Sequence, residues 1–237
     1  MKYFKIDREI INKVFEKGIS NANGEFVPNG KHYFDRMGSG EIIENAPIFD
    51  YFHLQSFGLK EEWEWRKQDV HGFMGVGSIM TAWYISAKTK KLLEQFLIAK
   101  DYAFYETKLL FQGSKYDYWI FQYFQKGNTL PKSKYINFEK SIFIDIVKQE
   151  LVDADNFEQY QKARNAIKQN SNYEHDIKII KLVLNQTVDF FPLLQIHENT
   201  LVSEKLKNAI ENAELEGFEF SELDYEVVSA PPIQSIF

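Results

Sequence analysis

Two segments of this 237-residue chain repeat one pattern, and the repeat constrains the fold more than any other feature. Residues 85–109 read ISAKTKKLLEQFLIAKDYAFYETKL, and residues 202–225 read VSEKLKNAIENAELEGFEFSELDY. When Ser86 is aligned with Ser203, lysines match two and four positions later and a glutamate matches eight positions later. Each copy therefore predicts a strand, a serine, an amphipathic helix and a returning strand.

The predicted units follow from local physical chemistry. An apolar strand leads into each serine, whose hydroxyl can accept a hydrogen bond from a free N–H at the helix start. Apolar residues then recur at the spacing of a helix face that packs on a sheet. After breaks at Asp101 and Gly217, and one single-residue gap, Phe104 is equivalent to Phe220. We interpret both serines as helix caps, because neither lies in a G-x-S-x-G turn.

Residues 103–112 and 116–124 predict a β-hairpin at the centre of a sheet. Both are rich in aromatic and β-branched residues, and residues 113–115 (GSK) supply the turn signal. A helix is predicted over residues 157–168 and a further strand over 177–184. The predicted fold class is α+β, a mixed or antiparallel sheet flanked by helices, with two related strand–Ser–helix–strand units.

The N-terminal third carries weaker signals. Residues 2–6 predict a strand, and Asp7 is expected to cap a short helix that ends at Gly18 and has Ile10, Ile11, Val14 and Phe15 on one face. Residues 18–40 are rich in glycine and asparagine and contain Pro28, which predicts loop structure with short strands. No linker divides the chain, so we expect one compact domain over residues 1–237, with a bilobed arrangement as the alternative.

Charge and residue usage exclude several functional classes. The chain has 34 acidic and 28 basic side chains, a net charge of −6, whereas nucleic-acid binders need clustered lysine and arginine. It has no cysteine, which excludes disulfides, thiolate zinc sites and a cysteine nucleophile. No signal-peptide pattern or apolar stretch of about 18 residues is present. We expect a cytoplasmic protein with no nucleic-acid or membrane partner.

No pattern of catalytic or metal-binding residues stands out. The five histidines are scattered and show no H-x-x-x-H spacing: His32, His53, His71, His175 and His197. Residues 72–77 (GFMGVG) lack the Lys-Ser/Thr of a phosphate-binding loop and precede a predicted strand rather than a helix. Carboxylates are plentiful, and a hydrolytic carboxylate pair stays open as an alternative. We therefore predict no catalytic residue, metal ligand or cofactor.

A tryptophan pair is the strongest candidate for binding a partner. Trp63 and Trp65 stand among Glu61, Glu62 and Glu64, and in an extended chain both rings would share one face. An exposed tryptophan pair rimmed by acids would anchor a protein, because tryptophan is enriched in binding hot spots. It would equally suit stacking on sugar rings. A third interpretation, that both rings pack in the core while Glu62 and Glu64 face water, also stays open.

The repeated pattern, [IV]-S-x-K-x-K followed by a short helix and an F-x-F or Y-x-F strand, resembles a known family. This is a domain-of-unknown-function family grouped with immunity proteins of bacterial polymorphic toxin systems. Residues 201–223 (LVSEKLKNAIENAELEGFEFSEL) and 135–141 (YINFEKS) carry the likeness, which spans residues 70–225. Where the family commonly has aspartate before a serine, this chain has Asn137 with Ser141.

The resemblance implies a function without catalysis. It implies a cytoplasmic immunity protein that binds and neutralises a cognate toxin and performs no chemistry of its own. An uncharacterised hydrolase with a carboxylate pair, or a carbohydrate- or peptide-binding module, are the alternatives.

Overall fold

The computed structural model describes residues 1–12, 17–79, 82–123, 134–193, 196–197 and 199–230. The elements within these ranges are β1 (Tyr3–Arg8), β2 (Ile11–Asn12), β3 (Lys17–Gly18), β4 (Asn21–Asn23), α1 (Gly30–Gly38), β5 (Phe49–Gln55), a 3₁₀ turn (Lys60–Glu62), β6 (Val70–His71), β7 (Ala82–Ser86), α2 (Ala87–Leu93), β8 (Ala103–Phe111), β9 (Ser114–Gln122), β10 (Ile142–Asp145), β11 (Glu150–Leu151), α3 (Phe157–Asn170), β12 (Ile177–Leu184), β13 (Phe190–Pro192), β14 (Thr200–Ser203), α4 (Glu204–Asn212), β15 (Phe218–Ser221) and β16 (Glu226–Ser229).

The strands form three main sheets with helices beside them. The first sheet has the order β4-β5-β8-β9-β7-β6, the second β13-β14-β1-β15, and the third β11-β10-β12-β16. Strands β2 and β3 pair separately as a short ribbon. Pairing is antiparallel except between β5 and β8 and between β12 and β16. The α+β class with mixed sheets is as the sequence predicts.

The two predicted units are present and extend beyond the segments that repeat in sequence. Four strands of the first sheet, β6-β7-β9-β8, correspond in order to the complete second sheet, β13-β14-β1-β15. Ser86 lies opposite Tyr118 in the first sheet, and Ser203 lies opposite Tyr3 in the second. We call these assemblies, with α2 and α4 respectively, the first and second units. In the second unit, the strand between β14 and β15 is β1, which comes from the N-terminal end of the chain.

Both serines cap their helices as predicted. Ser86 Oγ accepts the N–H of Thr89, and Ser203 Oγ accepts the N–H of Leu206, each over 3.2 Å. The aligned phenylalanines also have equivalent surroundings. The Nζ of Lys90 lies 5.5 Å from the Phe104 ring, and the Nζ of Lys207 lies 5.4 Å from the Phe220 ring.

Each unit has an aspartate upstream of its serine, and the two side chains are hydrogen-bonded. Ser86 Oγ donates to Asp69 Oδ1, and Ser203 Oγ donates to Asp189 Oδ1, both over 2.6 Å. The serine N–H also donates to the aspartate carbonyl, over 3.0 Å in the first unit and 2.9 Å in the second. The same side chain that caps the helix is therefore held by a carboxylate.

The other carboxylate oxygen of each aspartate reaches across to the opposite unit. Oδ2 of Asp69 accepts the N–H of Glu216, beyond α4, over 3.0 Å. Oδ2 of Asp189 accepts the N–H of Leu97, beyond α2, also over 3.0 Å. Each aspartate thus joins the serine of its own unit to the backbone after the other unit's helix. We call these two arrangements the crossed clamps.

The two units share a hydrophobic core. Phe190 of the second unit packs on Trp83 and Phe121 of the first, with ring centroids 5.4 and 5.3 Å apart. On the helical side, Lys88 Nζ donates to the carbonyl of Ala213 over 2.6 Å. A second core lies between α1 and the first sheet, and a third between α3 and the third sheet. The third core includes Tyr3 and so adjoins the second unit.

Asn137 and Ser141 hold the turn before β10 against strand β12 of the third sheet. Ser141 Oγ donates to the carbonyl of Asn137 over 2.6 Å and accepts the N–H of Val183 over 2.9 Å. Asn137 Oδ1 accepts the N–H of Lys140 over 3.1 Å, which closes the turn. Asparagine therefore performs a local capping role at the position where the family resemblance expects aspartate.

Two predictions for the N-terminal third are wrong. The helix expected after Asp7 is replaced by β2 and β3; its expected face included Val14 and Phe15, which lie outside the described residues. Conversely, α1 forms within the predicted loop, because Phe34 and Met37 are buried against the first sheet and tertiary packing outweighs composition.

The central hairpin is confirmed, with its turn one residue earlier than predicted. Gln112 and Gly113 have φ values of 48° and 79°, and two successive positive φ angles are typical of a two-residue type I′ turn. Strand β9 lies between β8 and β7, as expected from its two apolar faces. In the part of the chain that the structure describes, no helix has both the length and the hydropathy needed to cross a membrane.

Candidate partner-binding surface

Large apolar side chains are exposed on one side of the N-terminal half. The exposed fraction is 96% for Phe57, 75% for Ile10, 72% for Leu59 and 58% for Ile11. Scattered apolar residues are normal on a protein surface, but a group of them beside a depression marks an interaction site.

Three of these residues, Ile10, Ile11 and Phe57, line a groove of about 600 Å³, and Leu59 directly follows a fourth lining residue, Gly58. The β2–β3 ribbon contributes Ile10 and Ile11 to one wall, and the segment after β5 contributes Phe57. Trp65 also lines the groove, and its indole N–H donates to the carbonyl of Gly18 over 2.9 Å. That bond fixes the tryptophan ring against the ribbon, so the groove is preformed. We call it the apolar groove.

An array of aromatic rings continues from the groove along β5. The indole N–H of Trp63 donates to the carbonyl of Gly58 over 3.2 Å, and its ring stacks on His53 at 6.3 Å between centroids. His53 contacts Phe26 at 5.1 Å, and Phe26 contacts Tyr51 at 5.4 Å. We call these four rings the aromatic row. Phe26 is 53% exposed, so the row reaches solvent.

The tryptophan pair is arranged differently from either sequence-based geometry. Lys60–Glu62 forms a 3₁₀ turn that ends at Trp63, so the segment is not the extended chain on which a shared face of Trp63 and Trp65 depends. Both rings are half-buried, neither enclosed in a core nor standing free. Their N–H groups bind backbone carbonyls of different segments, which places Trp65 in the apolar groove and Trp63 in the aromatic row.

The neighbouring glutamates have unequal roles. Glu64 Oε2 accepts the N–H of Gln112 over 2.8 Å, which ties this segment to the tip of the central hairpin. Glu61 is exposed on the 3₁₀ turn, whereas the side chain of Glu62 lies outside the described residues. The predicted acidic rim is thus represented by Glu61, while Glu64 is a structural link.

His53 and His71 are both buried, and burial lowers the pKa of each. His53 Nε2 lies 3.3 Å from Glu25 Oε1 at the aromatic row. His71 is fully bonded: Nδ1 donates to the carbonyl of Ser20 over 2.8 Å, and Nε2 accepts the N–H of Gln68 over 3.1 Å. This pairing requires the neutral ring, which burial favours by lowering the pKa of His71 to about 4. The ring therefore serves as a structural link between backbone groups.

The acidic residues near β10 and β11 line a separate cleft of about 560 Å³ against α3. Within it, Asp145 Oδ1 accepts the N–H groups of Val147 and Lys148 over 2.9 and 3.2 Å. This carboxylate therefore closes its own hairpin turn. Among the residues described, no three histidine or acidic side chains are grouped as metal ligands.

Trp63 and Trp65 were predicted from the sequence as binding residues, whereas the exposed apolar residues at the groove were not. Phe57 and Leu59 flank Gly58, and this isolated apolar pair around a glycine was the available signal. Ile10 and Ile11 were assigned to a helix face, so their exposure was not expected.

The sequence matches no protein-family model and no curated protein. The resemblance to immunity proteins therefore stays a prediction that rests on the residues quoted above.

Proposed function

We propose that this chain is a non-catalytic, cytoplasmic immunity protein that binds a cognate bacterial toxin and covers the toxin's active site. The apolar groove and the aromatic row are the binding surface. The observation that carries the proposal is the 96% exposed Phe57 beside a preformed groove of about 600 Å³. The family resemblance supplies the class of partner.

The energetics favour this surface as the centre of an interface. Burying an exposed phenylalanine or leucine side chain contributes roughly 1.5–3 kcal/mol. Phe57 and Leu59 together would therefore contribute about 3–6 kcal/mol before the costs of association are subtracted. The two tryptophans already have their N–H groups paired within the protein, so they would bury ring surface without leaving an unsatisfied donor.

Net charge supports rapid association with a basic toxin. At −6, the chain would attract a basic partner over a range that salt shortens. The association rate constant should therefore fall as ionic strength rises, and a rate constant independent of salt would refute the steering part of the proposal.

Co-expression with the product of the neighbouring gene tests the function. We expect that product to be toxic alone and harmless with the wild-type chain. Phe57→Ser and Leu59→Ser should each weaken rescue. Tyr173→Ser and Leu151→Ser are matched controls, since these residues are 73% and 75% exposed but lie outside the groove.

The outcomes separate function from surface. A neighbouring product that is harmless alone, or failed rescue by soluble wild-type chain, contradicts the immunity function. Full rescue by the folded Phe57→Ser/Leu59→Ser double variant leaves the function standing and shows that a different surface binds.

A further inference from the structure

A second cleft, of about 310 Å³, opens between the two units and contains an arginine, Arg8, that has no acidic partner among the residues the structure describes. We propose that this cleft binds the carboxylate of a monoanionic ligand with an apolar body, and that Arg8 holds the carboxylate. The inference is independent of the apolar groove and of the immunity function.

Arg8 differs from the other arginines of the chain. The sequence has four arginines, and the other three each direct two guanidinium nitrogens at one carboxylate: Arg36 at Glu41, Arg66 at Glu216 and Arg164 at Asp176. Arg8 instead donates one hydrogen bond of 3.3 Å to the neutral amide oxygen of Asn21. In the described ranges, no carboxylate lies within 4 Å of its guanidinium. A guanidinium group has five N–H donors, so most of its capacity is available to a ligand.

The guanidinium group of Arg8 lies against the backbone of Gly72. A Cβ atom on Gly72 would lie 2.0 Å from Arg8 Nη1 and 2.6 Å from Asn21 Oδ1. Only glycine therefore allows Arg8 its observed position in the cleft. Gly72 opens the GFMGVG run, which lacks the Lys-Ser/Thr of a phosphate-binding loop. The structure gives that first glycine a specific purpose, the approach of a cationic side chain.

The cleft walls define the chemistry of the ligand. Phe73, Ile79 and Trp83 supply apolar surface, which suits an aliphatic or aromatic body. Asp7, whose carboxylate is 2.9 Å from Lys5 Nζ, also lines the cleft, and its negative charge disfavours most strongly a ligand with more than one negative charge. Arginine pairs with a carboxylate in a planar two-bond geometry. A single carboxylate on a small apolar group fits all three conditions, and the volume is at the small end for ligand pockets.

Such a carboxylate has two sources, a free small acid or the C-terminus of a peptide. Calorimetric titration of the full chain distinguishes them with three probes: phenylacetate, a short peptide ending in phenylalanine, and the same peptide amidated. We expect phenylacetate and the free-acid peptide to bind and the amidated peptide not to bind. Tighter binding of phenylacetate identifies a free acid, and tighter binding of the peptide identifies a chain terminus.

Substitutions test the role of Arg8. Arg8→Gln should weaken phenylacetate binding about 10- to 100-fold, the range for losing a hydrogen bond to a charged group. Arg66→Gln, which removes an ion-paired arginine outside the cleft, should leave binding unchanged. If Arg8→Gln unfolds the chain, Asp7→Asn serves as the second variant. It removes the like charge at the exposed rim and should tighten binding about threefold.

Several results would overturn the proposal. These are no binding of either carboxylate probe to the folded wild-type chain, equal binding by Arg8→Gln, and equal binding of the amidated peptide. Tighter binding of inorganic phosphate than of phenylacetate would overturn the assignment to monocarboxylates. The Phe57→Ser variant should bind phenylacetate as the wild type does, so failure of the immunity proposal leaves this test intact.

Discussion

Removing the hydroxyl of Ser203 tests whether the crossed clamps hold the two units together. Ser203 is fully buried, caps α4 and donates to Asp189, which is 3% exposed. Ser203→Ala loses a helix N-cap, which costs about 1 kcal/mol. It also leaves one oxygen of a buried carboxylate without its donor, which costs about 1–3 kcal/mol more. We therefore expect the free energy of unfolding to fall by about 2–4 kcal/mol.

Urea unfolding followed by circular dichroism measures this loss, and thermal unfolding gives a second value. For a chain of this size, 1 kcal/mol shifts the melting temperature by about 2–4 °C, so Ser203→Ala should melt about 4–16 °C lower. Ser86→Ala removes the equivalent hydroxyl of the first unit, but Asp69 is only half-buried, so the loss should be smaller, about 1–2 kcal/mol. Ser39→Ala is the control, because its exposed hydroxyl bonds one carbonyl at the end of α1 and its loss should cost under about 0.5 kcal/mol.

The double variant Ser86→Ala/Ser203→Ala tests the crossing itself. Each aspartate also binds the backbone after the opposite helix, so loosening one aspartate should disturb the environment of the other. We expect the double variant to lose less stability than the sum of the single losses, by at least about 0.5 kcal/mol. A Ser203→Ala loss below about 0.5 kcal/mol would refute the clamp, and strict additivity would show that the two clamps act independently.

Two further predictions concern contacts of strand β6 (Val70–His71). Gly217 has a φ of 94°, and a Cβ on it would lie 2.9 Å from the carbonyl oxygen of Val70, so Gly217→Ala should lower the free energy of unfolding, measured in urea, by about 1–3 kcal/mol. Gly18→Ala is the control, because nothing lies within 4 Å of a Cβ there, and it should cost under about 1 kcal/mol. Equal losses in the two variants would contradict backbone strain at residue 217. Burial lowers the pKa of His71 from 6.5 to about 4, so the unfolded chain binds the proton at a higher pH than the folded chain does. The stability that the neutral ring contributes is therefore complete above pH 6.5. It is lost as the pH falls towards 4, by up to about 3 kcal/mol. Unfolding free energies measured from pH 7 to pH 4.5 should fall in this way. The His32→Gln variant, which changes an exposed histidine, should show the same fall. An unfolding free energy of the wild type that does not change with pH would contradict the buried neutral ring.

The sequence was sufficient for the parts of the fold that depend on local periodicity. The serine caps, the amphipathic helices α2 and α4, and the central hairpin each follow from residues a few positions apart, and all are present. The aspartates of the crossed clamps were not predicted, because they precede their serines by 17 and 14 residues and act through tertiary contacts. A signal existed in the Asp-Val-His and Asp-Phe-Phe triplets at Asp69 and Asp189, each an aspartate at the start of a strand.

Predictions failed where burial, and not local preference, determines structure. α1 forms in a segment rich in glycine and asparagine because Phe34 and Met37 gain a core. The apolar groove could not be predicted from Ile10 and Ile11, because an apolar residue in sequence is expected inside and only the tertiary structure shows it outside. The cleft at Arg8 was hidden for the opposite reason, since the absence of an ion pair is visible only in three dimensions.

The comparison between the two units indicates where function resides. Positions that correspond in both units, such as Ser86 and Ser203, are used in the same structural hydrogen bonds. The residues of the apolar groove have no counterparts, because they lie on the β2–β3 ribbon and the segment after β5, outside both units. Duplicated positions therefore supply the framework, and under the proposed function the added segments supply the surface that a partner would recognise. On this reasoning, substitutions at Phe57 should alter binding with little effect on stability, while substitutions at the clamps should do the reverse.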